Sequence, residues 1–109
     1  MLDPNNYSFC SEFYIVEKTV EVVVEMQDES RYVRIEALRE RDGHYSTRAY
    51  IQDRITVQPT NRQAGGETAR PPTELWVWAD LDLPWTHLKS ADDVLAQALS
   101  FLSERCAKK

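Results

Sequence analysis

Glycine is scarce in this chain of 109 residues: only Gly43, Gly65 and Gly66 occur. A left-handed turn therefore comes cheaply at few places. Cysteine is scarcer. Cys10 and Cys106 stand near opposite ends with no C-x-x-C spacing, which argues against the familiar zinc and redox cysteine motifs. No apolar run nears the ~20 residues that a membrane-crossing helix needs. The opening residues, MLDPNNYSFC, lack the basic and apolar regions of a secretory signal. A cytoplasmic protein with both thiols reduced is the expectation. Gly65-Gly66 is not followed by a lysine and a helix start, so there is no phosphate loop. No serine sits in a nucleophile elbow, and no residue motif ties the chain to a family.

What is present is an ordinary globular balance, with 42% hydrophobic and 28% charged residues. That balance argues against disorder and fits a single domain over 1–109. The net charge of −5 is unevenly placed. Residues 1–30 hold seven acids and one base, Lys18. Residues 31–73 hold eight arginines, no lysine and five acids, so this middle stretch is net positive. One reading is that acidic first strands neutralise basic middle ones beside them. The sharper reading is an arginine-rich binding surface, because arginine is planar, stackable and rich in donors.

Residues 1–8 read as an irregular arm. From Phe9 to Gln27 the pattern is strand-like, and TVEVVVEM alternates as a half-buried strand should. Asp28–Ser30 is expected to turn. The stretch RYVRIEALRERDGHYSTRAYIQDRITVQ then reads as two strands joined at Asp42-Gly43. A two-residue loop would mix the faces. A three-residue loop, Arg41-Asp42-Gly43, sets Ile35 opposite Ala49 and Val33 opposite Ile51, and Glu36 opposite Arg48. That register needs a left-handed residue where Gly43 stands.

Residues 59–73 form a long polar loop, of a length usually mobile or functional. The strand ELWVWAD follows. A helix is expected over 90–106, with Ser90 as its N-cap and Asp92 and Asp93 in its first turn. Ala91, Val94, Leu95, Ala98 and Leu102 make its apolar stripe, and Leu99 and Phe101 widen it. The fold class is therefore α+β: a twisted antiparallel meander of four to five strands, then one C-terminal helix packed on one face.

One helix covers one face of such a sheet. The covered face is expected to hold Val20, Val22, Val24, Val33, Ile35, Ala37, Ala49, Ile51, Ile55, Val57, Leu75 and Val77. The other collects Tyr32, Arg34, Glu36, Arg48, Tyr50, Gln52, Arg54, Trp76 and Trp78. Aromatics interleaved with arginines on an open sheet are the residue types of interface hot spots. The bland alternative is that the sheet curls, or the N-terminal arm folds, over this face.

The expected function is a non-enzymatic interaction module, an accessory, inhibitor or immunity-like protein of bacterial style. It would bind a protein partner or itself, as a homodimer, through Trp76, Trp78, Tyr32, Tyr50, Arg34, Arg48 and Arg54. No metal, no other cofactor and no membrane contact are expected. A second reading uses the same face for single-stranded nucleic acid, with bases on aromatics and arginines on phosphates. Strands followed by a helix are also the order of the dimeric transcriptional coactivators that bind single strands, a likeness of topology without a shared motif. Overall charge and the lack of an RNP-type sequence disfavour this reading. A third reading is a small-ligand or metal-dependent enzyme around Asp80, Asp82 and His87, the D-x-D carboxylates offering oxygen ligands. Against it, loop solvation explains most such triplets. His87 reads as a packing or capping residue, and His44 as solvent-exposed beside the hairpin turn.

Overall fold

The computed structural model describes residues 2–57 and 73–107. Four strands, β1 (Ile15–Met26), β2 (Glu29–Arg39), β3 (Tyr45–Val57) and β4 (Thr73–Asp80), precede one helix, α1 (Ala91–Ala107). The sheet is an antiparallel meander in the order β1-β2-β3-β4. This is the α+β architecture expected.

The β2–β3 hairpin has the deduced register. Val33 faces Ile51, Ile35 faces Ala49, Glu36 faces Arg48 and Arg34 faces Tyr50. Glu40 N–H bonds to the His44 carbonyl at 2.8 Å, leaving Arg41, Asp42 and Gly43 as the loop. Gly43 closes it with φ +87°, the left-handed conformation that this loop type demands.

The β1–β2 hairpin differs from expectation. Met26 pairs with Glu29, so the turn is Gln27-Asp28 and not Asp28–Ser30. Both turn residues have positive φ, 54° and 63°. Two consecutive left-handed residues match the right-handed twist of the flanking strands, although neither is glycine. β1 also begins later than its pattern suggested, at Ile15. Its ladder shifts register between Val16 and Lys18, an irregularity that leaves Glu17 out of the cross-strand pairing. Ahead of β1, the arm is not wholly irregular. Pro4–Asn6 makes a short 3-10 turn capped by the Asp3 side chain. Arg41 then gathers the arm by donating to the carbonyls of Tyr7 and Cys10.

Ser90 caps α1 as expected, its hydroxyl accepting from Asp93 N–H at 3.1 Å. Ala91, Val94, Leu95, Ala98 and Leu102 are buried. They pack on Val33, Ile35, Ala37, Ala49 and Ile51, with Val20, Val22 and Val24 partly buried beside them. Each large side chain in this layer contributes about 1.5–3 kcal/mol of burial. Leu99, one of the two residues that widen the stripe, packs against this core as well. Lys18 Nζ, 2.6 Å from Asp92, ties β1 to the start of the helix. Arg105 donates to the Asp82 carbonyl near its end.

The helix crosses β1, β2 and β3 and does not reach the far end of β3 and β4. Ile55 and Leu75, expected beneath it, are exposed, and Val77 is half-buried. A 17-residue helix spans only about 26 Å at 1.5 Å per residue, whereas the longest extent of the molecule is 61 Å. The side chain of Val57 and the loop expected over 59–73, apart from Thr73 in β4, lie outside the described residues. Cys10 and Cys106 are free thiols, both half-buried. Among the described residues, no helix is long and apolar enough to cross a membrane.

Candidate interaction face and a histidine cluster

Strand alternation and register place all seven expected binding residues on the sheet face opposite the helix. Arg34 pairs with Tyr50, and Glu36 with Arg48. Gln52 pairs with Trp78, and Arg54 with Trp76. Val23, paired with Tyr32 on β1, extends the apolar row; it was missed from sequence because TVEVVVEM offers valine to both faces. Trp76 is 62% exposed, Val23 57% and Tyr32 54%, whereas Trp78 is 37% exposed. The arm is held at the β2–β3 turn, where Arg41 donates to the Tyr7 and Cys10 carbonyls.

The lower exposure of Trp78 has a local cause. The Arg34 guanidinium lies 4.4 Å from its ring centroid, although Arg34 is on β2 and Trp78 on β4. The two side chains meet over the intervening β3. Arg48 lies over Tyr50 and Arg54 over Trp76, each at 5.6 Å. Such contacts contribute about 0.5–1 kcal/mol at exposed sites.

Each of these arginines also has a carboxylate partner. Arg34 is 2.8 Å from Glu21, Arg48 is 3.1 Å from Glu36 and Arg54 is 3.3 Å from Glu74. Only the first pair matches the idea that an acidic β1 neutralises the basic middle. Arg48 finds its acid on β2, and Arg54 finds one on β4. The face is thus an aromatic surface whose three arginines are already paired.

A second cluster forms at the other end of the sheet. After β4, Leu81 N–H bonds to the Ala49 carbonyl at 2.9 Å. Tyr45 and Leu88 then exchange two backbone hydrogen bonds of 2.7 and 3.0 Å. Thr47 and the buried Thr86 share a hydrogen bond of 2.8 Å. This pairing carries His87 to the β2–β3 turn. Its Nε2 lies 3.2 Å from Glu40 and 3.4 Å from Asp42. The ring stacks on His44 at 4.4 Å and on Trp85 at 5.1 Å between centroids.

His44 is half-buried in this stack and not solvent-exposed, because His87 and Trp85 close over the turn. Its Nδ1 is buried without a hydrogen-bond partner, although Asp42 Oδ1 lies 3.4 Å away. The His44 backbone N–H donates to that same Oδ1 at 2.9 Å. This hydrogen bond, aided by the two imidazoles, holds the Asp42 carboxyl below its ordinary range. His87 therefore has a specific place among acids, beyond the packing or capping role expected of it.

Asp80 and Asp82 are exposed and border a different groove, with Arg48 and Trp85. The structure groups His87 with Glu40, Asp42 and His44, and among the described residues Asp80 and Asp82 belong to no group of three potential metal ligands. Compared with protein-family models, curated proteins and solved structures, the chain matches none.

Proposed function

We propose that this protein is a non-enzymatic interaction module that pairs with a second copy of itself through the open sheet face. The observation that carries the reading is the contiguous exposure of Trp76, Tyr32 and Val23 beside Trp78, over arginines that are already paired. Trp76, Trp78 and Tyr32 are the anchors, with Val23 filling the row between them and the β1 edge. Tyr50, Arg34, Arg48 and Arg54 form a rim that keeps its ion pairs on association. A charge buried without its partner is costly, and on this face each arginine brings its partner along. A twofold contact is self-complementary in just this sense.

The same pairing counts against single-stranded nucleic acid, because arginines that track phosphates would first have to leave Glu21, Glu36 and Glu74. Shape supports association. The radius of gyration is 19.4 Å, against about 13 Å for a compact chain of this length. A reducing, cytoplasmic setting is consistent with the two free thiols.

Light scattering behind a sizing column tests the proposal. The expected mass is twice 12.7 kDa. Trp76→Ala combined with Trp78→Ala should return a monomer of unchanged circular dichroism. A wild type that stays monomeric at high micromolar concentration overturns self-pairing, and an unfolded double variant would show that the face supports the fold itself.

A further inference from the structure

The histidine cluster plays no part in the face reading and stands independently of it. Asp42 and His44 flank Gly43 in the β2–β3 turn. His87 arrives from a segment more than forty residues later, fixed there by the Tyr45–Leu88 bridge and the Thr47–Thr86 hydrogen bond. Two imidazole nitrogens each lie 3.4 Å from the Asp42 carboxylate, on separate oxygens. Ligands around tetrahedral zinc, at bond lengths of 2.0–2.1 Å, sit about 3.3 Å apart. The three ligand atoms available from Asp42, His44 and His87 all fall within 4.8 Å of one another.

We propose that Asp42, His44 and His87 form a site for a borderline transition-metal dication of the zinc class, which clamps the β2–β3 turn to the segment before α1. Three features of the arrangement support it. The first is His44 Nδ1, buried and without a hydrogen-bond partner. A buried polar atom left unpaired costs about 1–3 kcal/mol, and a metal bond removes that cost. The second is charge. Asp42 and the Glu40 carboxylate, 3.2 Å from His87 Nε2, together balance a dication. The third is donor type: a pair of imidazoles with a carboxylate suits zinc, nickel or copper, whereas magnesium and calcium prefer oxygen alone.

The cluster is also supported from behind. The His44 backbone N–H orients the Asp42 carboxylate, and Trp85 stacks on His87 at 5.1 Å, as outer groups commonly orient metal ligands. The site borders a groove of about 310 Å³ that runs along Ser11 to Tyr14 and under Trp85, which gives a cation a path in. Because Trp85 stacks on His87, it is a built-in reporter of metal loading at that ring.

The test is calorimetric titration of zinc chloride into the chelator-treated full chain at neutral pH. The expected result is one zinc per chain at micromolar affinity or tighter. His44→Gln and His87→Gln should each weaken binding by at least about tenfold, with circular dichroism unchanged. Cys10→Ser with Cys106→Ser should leave it intact, and excess magnesium should not compete. In a variant with Trp76→Phe and Trp78→Phe, zinc should change the fluorescence of Trp85. Absence of saturable zinc binding overturns the proposal and leaves a histidine held by two acids. So does binding that survives loss of both histidines, or that disappears with the thiols.

Discussion

At the scale of the residue, Gly43 shows how one backbone position decides a local structure. Its φ of +87° places it in the left-handed region, and a Cβ added there would meet no atom within 4 Å. The cost of a side chain is therefore purely conformational. Gly43→Ala should destabilise the fold by about 1 kcal/mol, the left-handed penalty partly offset by a stiffer unfolded chain. Thermal unfolding should show a fall of roughly 4 °C, and an unchanged melting temperature would mean that the turn relaxes into another type. This residue was legible in advance. So was the placing of Arg48 opposite Glu36, because only one loop length gave both an apolar face and opposed charges. His44 was not legible. Its burial depends on His87 and Trp85, and no periodicity in the intervening stretch announces that they return to the turn.

Elements were readable where a repeating pattern ran through them. The helix stripe of Ala91, Val94, Leu95, Ala98 and Leu102 follows helical spacing, and Ser90 supplies an ordinary cap. Strand alternation assigned Trp76 and Trp78 to one face and Val77 to the other. The reading failed where extent mattered. Alternation assigns Ile55 and Leu75 to the helix side correctly, but it carries no information on how far a helix reaches, and both remain exposed. It failed also at the β1–β2 turn, where Gln27 and Asp28 lack the usual Asn-Gly signature. The conformation they adopt suits glycine at the second position. Asp28→Gly should accordingly stabilise the protein by about 1 kcal/mol, visible as a higher denaturant midpoint with the same slope. A lower midpoint would show that the aspartate makes a compensating interaction.

For the whole molecule, the decisive quantity is how much apolar surface one copy can hide. The helix covers β1 to β3 on one side, and the remainder of both faces near Trp76, Ile55 and Leu75 stays in water. If two copies share the aromatic face, folding and association are linked. The melting temperature should then rise with protein concentration, and Trp76→Ala with Trp78→Ala should remove that dependence. A concentration-independent wild type would separate the face from self-pairing. The meander also leaves β1 and β4 with one hydrogen-bonded neighbour each among the described residues, and an unsatisfied edge invites further strands. A face-to-face pair stops at two copies, while edge-to-edge addition has no natural end. The irregularity at Glu17 interrupts the twelve-residue edge of β1 and places an acid at the break. An incoming strand running the length of β1 would fall out of step at this end, so the irregularity shortens the regular edge that a further strand could use to Lys18–Met26.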